Sequence, residues 1–442
     1  MRRVPAVVAL AESPHNVQTR APVPSALDIG IVGCGYAGSA TALFLKRAGH
    51  RVTVYEAVDA PGAVGAGIIV QPTGLHVLER LGLAGAVIAR GSRLSGLHCR
   101  TPSNRRVVEL IYDELGAGMF GLGMHRGAMF ELLYEAVLAE GVEVRCGVSC
   151  ESLTPATSGK RSLIDASGAT YGPHDLVVVA DGARSSLRDD DTLTRRATPY
   201  PYGALWYVAE APAELPDATL MQTCDSTHKL LGLLPSGLGP KRTDGSADRR
   251  LVTLFWSVCV DRVQALREAG LDAFRRDAIR VDPRAEPIVA QLRSMDDLLL
   301  STYLDVVMHQ WHAPSLVYLG DAGHAMSPQL GQGCNLALMD AMVLADVLAA
   351  ESSVDAALAR YTRERRANIE FYQFASRWLT PMFQSDLGVF GTLRDLFMGP
   401  MCSVPFVRGQ MLRSMAGVKR GIVRPSMALP PAPKLLSAPR EV

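Results

Sequence analysis

DIGIVGCGYAGSATALFLKRAGHRVTVYE, residues Asp28–Glu56, is the stretch of this chain that decides its fold. The apolar run Ile29–Val32 predicts a buried strand, and the apolar periodicity that begins at Ala37 predicts a helix. After a Gly-His turn, the run Arg51–Tyr55 predicts a second strand. A strand, a helix and a second strand in this order are typical of a nucleotide-binding α/β unit.

Three glycines and one acid in this stretch meet the needs of a dinucleotide. Gly33 permits a tight turn, Gly35 lets a pyrophosphate approach the backbone, and Gly38 lets the helix pack against the strand. Ala37 belongs to the first helical turn, whose unpaired N–H groups attract phosphate. Glu56 can accept hydrogen bonds from a ribose. A dinucleotide site is therefore predicted, and this stretch does not decide whether the dinucleotide is FAD or NAD. The alternative is a glycine-rich turn in an ordinary α/β domain.

Composition excludes several classes of protein. With 442 residues, 48% of them apolar and 20% charged, the chain is predicted to form a large core in two interlocked domains. A formal net charge of +1 gives no electrostatic case for nucleic acid or for a strongly anionic membrane. The chain contains no run of 18 apolar residues, so no membrane-spanning helix is predicted.

The eight cysteines include no C-x-x-C pair, so neither a dithiol centre nor a metal site is expected. Buried thiols in a reducing cytoplasm are the predicted state. Residues 1–25 are interpreted as a flexible extension. The Arg2-Arg3 pair makes an export signal conceivable, but the following apolar run is short.

Two further stretches place acids and glycines at strand ends. In DLVVVADGARSSLR, Asp175–Arg188, an apolar strand runs into Asp181 and Gly182, where a carboxylate is well placed for a ligand. In LVYLGDAGHAMSPQLGQGCNLALMDAMVLADVLA, Leu316–Ala349, a strand ends at Asp321 and a glycine-rich turn opens an apolar helix. A β-turn acid and a chance helix start are the alternatives.

The rest of the chain changes character twice. Residues 200–260 are rich in aromatic and branched side chains and predict a mostly antiparallel sheet. Residues 354–420 are predicted to be mostly helical, with breaks at Pro381, Pro400 and Pro405. Pro425–Pro439 is expected to be a loose tail.

Taken together, the motifs GCGYAG, VVVADGARSSLR and LGDAGHAMSPQLGQGCNLALMDA resemble the three signatures of the single-component FAD aromatic hydroxylases, the p-hydroxybenzoate hydroxylase-like group A monooxygenases. The resemblance covers about residues 26–350. The later segments TPMFQSD and LRDLFMGPMCSVPF are loosely similar to the ubiquinone-biosynthesis hydroxylase branch. One departure is Met339, where relatives often carry an acid before the retained Asp340.

The resemblance implies an α/β fold, in which a Rossmann-like FAD-binding domain is interleaved with a mostly antiparallel β-sheet substrate domain and followed by C-terminal helices. The boundaries expected are 26–195 with 312–350 for the FAD-binding domain, 196–311 for the substrate sheet, 351–420 for the helices and 421–442 for a Pro-rich tail.

The same resemblance implies a role in FAD binding for residues of all three motifs. Gly33, Gly35, Ala37 and Gly38 would hold the pyrophosphate, and Glu56 the adenosine ribose. The other residues expected at the flavin are Gly67, Ile68, Arg126, Asp181, Gly182, Asp321, Pro328, Gly331, Gly333 and Asn335.

The implied chemistry is monooxygenation. NADH or NADPH, bound transiently, would reduce FAD, and O₂ would form a flavin C4a-hydroperoxide that hydroxylates an aromatic substrate, phenolic or polycyclic. His228 and Tyr207 are candidates for a base that deprotonates a phenol, although a lone His or Tyr on a strand is usually structural. His324 is expected to be a hydrogen-bond partner within the flavin motif.

Several alternatives stay open from the sequence. A flavin-dependent halogenase would share the fold, but its W-x-W-x-I-P motif is missing from this chain. A reductase of the same fold would not need O₂, and a flavoprotein scaffold would not turn over. The identity of the substrate is not readable, and a homodimer is possible.

Overall fold

A computed structural model of the chain describes residues 26–188, 192–216, 218–242 and 247–432. The predicted N-terminal extension and the last ten residues of the predicted tail lie outside these ranges. The described residues form 19 strands and 12 helices, apart from short 3₁₀ turns.

The strands are, in chain order, β1 (Asp28–Val32), β2 (Arg51–Glu56), β3 (Gly67–Val70), β4 (Ser92–Leu94), β5 (Gly96–Arg100), β6 (Arg106–Ile111), β7 (Gly121–His125), β8 (Glu143–Cys146), β9 (Cys150–Leu153), β10 (Arg161–Asp165), β11 (Thr170–His174), β12 (Leu176–Val179), β13 (Thr194–Glu210), β14 (Thr219–Asp225), β15 (Lys229–Leu238), β16 (Arg250–Cys259), β17 (Leu299–Met308), β18 (His312–Ala313) and β19 (Leu316–Tyr318).

The helices are α1 (Tyr36–Arg47), α2 (Pro72–Arg80), α3 (Ala84–Arg90), α4 (Arg126–Ala139), α5 (Val263–Ala269), α6 (Leu271–Val281), α7 (Glu286–Val289), α8 (Asp321–His324), α9 (Gly333–Ala350), α10 (Val354–Phe383), α11 (Gly388–Cys402) and α12 (Pro405–Met415).

A six-stranded sheet in the order β18-β19-β12-β1-β2-β8 forms the nucleotide-binding half, and it is parallel except for the edge strand β18. Its central strands are apolar at nearly every position because both faces are covered. Ile29 and Ile31 are fully buried, as are Val177 and Val178 of the neighbouring strand. The sequence predicted this unit, and the predicted fold class is present.

A seven-stranded, mostly antiparallel sheet in the order β17-β13-β16-β15-β14-β5-β6 forms the second half. One face packs on α6 and α7 through a cluster that includes Leu254, Trp256 and Phe274. We call the opposite face the inner face. Strands β5 and β6 come from residues 96–111, which the sequence placed in the FAD-binding part, so the two halves are more deeply interleaved than predicted.

The small sheet β3-β7-β4 joins the two halves. Gly123 lies so close to β15 that a Cβ atom there would stand 1.9 Å from the Pro235 carbonyl oxygen. At Gly67 a Cβ atom would stand 2.7 Å from both Ser236 Oγ and Thr253 Oγ1. Glycine is thus required at both positions for the halves to meet at this distance.

The C-terminal region differs from the prediction in two ways. Pro381 and Pro400 do not break helices, because each lies within the last turn of its helix, while Pro405 occupies the first turn of α12. Residues 421–432 are not loose: Met427 N donates to the Val418 carbonyl at 2.8 Å, and Leu429 packs on the core.

One described helix, α9, is long and apolar enough to cross a membrane, by length and composition alone. More than half of it is buried, and it packs against α1, α2 and α10. A helix that is apolar on all sides is also expected at the centre of a large soluble core. Within this structure α9 is therefore a core helix.

The buried carboxylate of Asp340, in the middle of α9, joins three elements. It accepts hydrogen bonds from Gly320 N at 2.9 Å and from Arg365 Nε at 2.7 Å, and it lies 2.6 Å from His324 Nε2. Burial by itself would raise the pKa of Asp340, but the charges of His324 and Arg365 and these hydrogen bonds outweigh it and lower the pKa to about 2.

We predict that Asp340→Asn lowers the free energy of unfolding at pH 7 by about 3–5 kcal/mol, because it leaves the buried Arg365 guanidinium without a counter-charge. The depressed pKa stabilises the fold above the unfolded value near 4, and this term disappears as the pH falls towards 2. The difference between variant and wild type should therefore shrink in acid.

Urea unfolding between pH 7 and pH 3 measures this difference. Asp346→Asn is the matched control, since Asp346 lies on the same helix in an exposed pair with Arg80 and should cost less than about 1 kcal/mol. Equal losses for the two variants would contradict the assignment.

Candidate functional site: a flavin crevice at the sheet edge

The three sequence motifs meet at one edge of the six-stranded sheet. Val32 of β1 is in register with Tyr55 of β2 and with Val179 of β12, and Val179 is in register with Tyr318 of β19. The residues that follow these strand ends are therefore neighbours in space. They are Gly33, Glu56, Asp181 and Asp321. In parallel α/β sheets ligands bind at this carboxyl edge.

Each glycine of the first motif has a separate geometric reason. Gly33 has φ +93°, and a Cβ atom there would stand 2.6 Å from the Ala180 carbonyl oxygen. A Cβ atom at Gly38 would stand 1.9 Å from the Gly33 carbonyl oxygen, whereas one at Gly35 would meet nothing within 4 Å. Gly33 and Gly38 thus serve the fold, and Gly35 leaves open space at the start of α1.

Glu56 is held firmly at the end of β2. Its Oε2 accepts a hydrogen bond from Cys34 N at 2.8 Å, and its Oε1 accepts one from Val58 N at 3.0 Å. Both carboxylate oxygens keep further lone pairs for a ribose hydroxyl. The acid therefore ties the glycine loop to the neighbouring strand and faces the same crevice edge.

Asp181 carries a polar atom that lacks a partner within the described residues. Its Oδ1 is buried without a hydrogen bond, and burial raises the pKa of Asp181, partly offset by a hydrogen bond from Ser185. Gly182 follows with φ +90°. A buried carboxyl oxygen without a donor is costly unless a ligand supplies one, and hydroxyl groups of a ribityl chain are suitable donors.

The third motif lies between the helices α1 and α9. A Cβ atom at Gly320 would stand 3.2 Å from the Cβ atoms of both Ala37 and Ala337. Asp321 begins α8 and is exposed, and its Oδ1 lies 3.7 Å from where a Cβ atom of Gly333 would be. Small residues thus bring Asp321 to the point where the two helix N-termini converge.

The turn from Pro328 to α9 presents backbone donors. Gly331 is in the left-handed region with φ +59°, and α9 begins at Gly333 without a side-chain cap. Asn335 is buried and fully used: Oδ1 accepts from Gln71 N at 2.8 Å, and Nδ2 donates to the Ile69 and Gly331 carbonyls. Its side chain therefore shapes the loop, and the free N–H groups of α9 are what faces a ligand.

The opposite wall comes from β3 and the start of α4. Gly67 pairs with His125 and Ile68 with Met124, so β3 is fixed in register on β7. Arg126, the first residue of α4, is exposed, and its carbonyl accepts a hydrogen bond from the Tyr36 hydroxyl at 2.9 Å. The wall is thus anchored to the first turn of α1.

These features suit FAD. The helices α1 and α9 both begin without side-chain caps and can bind pyrophosphate and the flavin carbonyl end. Space is open at Gly35, and the buried oxygen of Asp181 needs a donor. No cluster of metal-ligating side chains occurs in the described ranges.

His228 lies away from this crevice, in the turn between β14 and β15. Its Nδ1 is 3.4 Å from Asp386 Oδ1, and Asp386 also accepts hydrogen bonds from Tyr202 and Arg262. The histidine thus belongs to a partly exposed polar group where the C-terminal helices meet the sheet. This surrounding gives no support to a catalytic base.

Tyr207 lies on the outer face of β13, opposite to the face that contacts β3. It packs with the cluster beneath α6 and α7 and borders a surface cavity with Gln291, Arg293 and Asp297. Its neighbour Trp206 points to the inner face instead, because side chains alternate along a strand. The alternation of side chains along β13 therefore separates Tyr207 from the face that adjoins β3, and its catalytic role stays a prediction.

The sequence did not predict two residues that shape the crevice, Arg365 and Gly74. Arg365 gave no local signal, because it belongs to an ordinary amphipathic helix pattern. Gly74 had a signal that was not used: an isolated glycine inside a predicted helix often marks close packing. A Cβ atom there would stand 2.3 Å from Asn335 Oδ1.

We predict different outcomes for Gly35→Ala and Gly38→Ala. Gly35→Ala should leave the apoprotein as stable as wild type but weaken FAD binding by about tenfold. The added methyl group would displace the pyrophosphate from the backbone, and overpacking of this kind costs about 1–3 kcal/mol. Gly38→Ala should destabilise the apoprotein itself. Calorimetric titration with FAD and thermal unfolding of apoprotein separate the two effects. Wild-type FAD affinity in Gly35→Ala would contradict the placement of the pyrophosphate.

Known proteins resemble this chain over most of its length. The FAD binding domain family matches residues 26–372. A probable 2-heptyl-3-hydroxy-4(1H)-quinolone synthase from Rhodococcus erythropolis is 26% identical over 347 residues, which cover 78% of this chain and 86% of that protein. An aurachin C monooxygenase/isomerase from Stigmatella aurantiaca is 28% identical over 355 residues, with coverage of 77% and 86%.

Among solved structures, that of pqsL, a probable FAD-dependent monooxygenase from Pseudomonas aeruginosa, has a TM-score of 0.70 at 24% identity and covers 84% of this chain and 100% of that chain. The predicted fold, the FAD cofactor and the flavoprotein monooxygenase class are confirmed. This chain belongs to the FAD binding domain family.

Proposed function

We propose that the protein hydroxylates a neutral, apolar aromatic ring with FAD, NAD(P)H and O₂. The observation that carries the proposal is the inner face of the seven-stranded sheet, which adjoins the flavin crevice. Across the middle of its four central strands this face bears no charged side chain, and the carboxylate of Glu210, at the end of β13, is paired with Arg249. Bound FAD would supply electron transfer from NAD(P)H and the activation of O₂. The chain's own contribution is a dry, oriented pocket.

The inner face is identified by its contacts with β3. Gly67 touches Ser236 and Thr253, and the alternation along each strand then assigns the other inner-face positions. On the four central strands they are Ala204, Trp206, Val208, Leu220, Gln222, Cys224, Leu230, Gly232, Leu234, Ser236, Thr253, Phe255 and Ser257.

Aromatic side chains dominate the middle of this face. The Trp206 and Phe255 rings are 5.2 Å apart, and the Phe255 ring covers Gly232, where a Cβ atom would stand 1.9 Å from it. Ile69 of β3 and Phe383 of α10 pack with the same cluster as Phe255. A planar ring could lie between these side chains and the turn at Gly331.

The polar groups of the face are few and neutral. Gln384 Nε2 donates to Ser257 Oγ at 2.9 Å, and Ser236 Oγ lies 2.7 Å from Thr253 Oγ1. A carboxylate substrate would find no cation among these side chains and would be desolvated at a cost. The nearby Arg394, whose guanidinium lies 5.3 Å from the Phe383 ring, is already bound to Asp395 and to two backbone carbonyls. We therefore favour a neutral bicyclic ring, such as the 4-quinolone named for the Rhodococcus relative, over an aromatic acid.

The domain boundaries stay a proposal. Residues 26–195 with 312–350 would bind FAD, and residues 196–311, extended by β5 and β6, would bind the substrate.

We also propose a cytoplasmic enzyme, because all eight cysteines are free thiols.

The experiment is turnover under ¹⁸O₂ with NADH or NADPH, using 2-heptyl-4-quinolone and p-hydroxybenzoate as matched neutral and anionic rings. We expect one ¹⁸O atom in a hydroxylated quinolone and no product from the acid. Halogenated product with halide present, ring reduction without O₂, or NAD(P)H oxidation that never couples to product would point to a halogenase, a reductase or a scaffold instead.

We further predict that Trp206→Ala raises KM for the accepted ring by about tenfold, because it removes aromatic contact area worth more than 1 kcal/mol. Tyr207→Ala, one residue along but on the opposite face, should leave KM within about twofold. Steady-state kinetics of both variants decide this. A larger effect from Tyr207→Ala would mean that the inner face is wrongly assigned.

A further inference from the structure

Helix α11 is amphipathic in the inverted sense, with its charge buried and its apolar side chains exposed. Arg394 is 1% exposed and donates to the Ser226 and Met382 carbonyls at 2.8 and 2.9 Å. On the same side, Gly391 packs on Thr227 and Gly399 on the Arg106 carbonyl. These contacts fix which side of the helix faces the protein.

The other side of α11 is a continuous apolar surface. Its large exposed side chains recur mostly three or four residues apart, with Leu396 and Phe397 adjacent, and extend into the start of α12, with exposures between 44% and 73%. We call these residues the α11 face: Val389, Leu393, Leu396, Phe397, Met401, Val404 and Phe406. Exposed apolar patches of this kind mark interaction surfaces.

The α11 face provides almost nothing for a protein partner to hydrogen-bond. Between Val389 and Met401 the one exposed hydroxyl, that of Thr392, donates back to the Gly388 carbonyl at 3.4 Å. Protein interfaces carry about one hydrogen bond per 100–200 Å², whereas a lipid surface needs none. A second copy of the chain is thus a poorer match than lipid.

Charges around the α11 face also favour lipid. Two carboxylates on this side are paired with arginines, Asp395 with Arg394 and Glu114 with Arg408. Asp113, next to Glu114, is exposed and has no cation partner among the described residues. Exposed cations without a carboxylate partner in the described residues are Arg105, Arg413, Arg420 and Arg424. The formal net charge of +1 conceals this local excess.

A second exposed apolar site, the Ile422–Val423 tip, lies between two of these arginines. Ile422 and Val423 are 67% and 94% exposed, and Arg420 and Arg424 flank them. Lys419 Nζ bonds Gln410 of α12, so the tip is held against the α11–α12 unit. Apolar side chains framed by arginines are typical of segments that enter a headgroup region.

We propose that the α11 face and the Ile422–Val423 tip dock the protein on an anionic lipid bilayer surface, without spanning it. The apolar side chains enter the acyl boundary, and the arginines bind lipid phosphates. This inference is independent of the substrate, because it concerns a surface that the flavin crevice does not use.

The test is co-sedimentation of the FAD-bound protein with vesicles of phosphatidylcholine, with and without phosphatidylglycerol. We expect binding that requires phosphatidylglycerol and weakens with salt. Leu396→Gln/Phe397→Gln should lower the partition coefficient by about tenfold or more, since two half-inserted side chains contribute over 1.4 kcal/mol. Arg420→Gln/Arg424→Gln should weaken binding to the anionic vesicles.

Leu138→Gln, at an equally exposed leucine on α4, is the matched control and should bind like wild type. Absence of wild-type binding to the vesicles that contain phosphatidylglycerol, or an equal loss in Leu138→Gln, would overturn the proposal. So would light scattering that shows a dimer which Leu396→Gln/Phe397→Gln converts to a monomer, because the α11 face would then be covered by a second copy.

Discussion

The flavin crevice depends on one buried carboxylate. Asp340 accepts the backbone N–H of Gly320 while its other oxygen binds Arg365 from α10. A carboxylate is stable in the interior only with such partners. Because Gly320 fits between Ala37 and Ala337, any shift of this carboxylate would separate the two helix N-termini that face the cofactor. The position of the crevice is thus coupled to a helix outside all three motifs.

Close approach by glycine is the second constraint. Gly67 and Gly123 have no side chain at the points where the small sheet touches β15 and β16. Gly123 therefore lies against the Pro235 carbonyl, and Gly67 against the Ser236 and Thr253 hydroxyls. The distance between the inner face of the seven-stranded sheet and strand β3, which forms one wall of the flavin crevice, is therefore fixed. A single added methyl group at either position would clash with these atoms and displace the small sheet from the seven-stranded sheet.

The protein has two apolar surfaces, the inner face and the α11 face. The middle of the inner face is aromatic and carries no charged side chain, whereas the α11 face is exposed to solvent and bears few hydrogen-bonding groups. They are physically connected, because Arg394 of α11 binds the backbone of the β14–β15 turn. A substrate with an alkyl chain would partition into lipid, so a surface that docks on lipid would shorten its path to the pocket.

The sequence by itself determined the nucleotide-binding half and most of the crevice. The G-x-G-x-x-G spacing, Glu56 and the acids at strand ends are local patterns, and parallel strands bring their carboxyl ends together whatever the rest of the chain does. Tertiary structure alone decided three other matters. The register of β13 placed Trp206 inward and Tyr207 outward, the packing of α10 supplied Arg365, and β5 and β6 joined a sheet formed mainly by residues 100 positions later. These depend on which distant elements meet, and no local periodicity encodes such contacts.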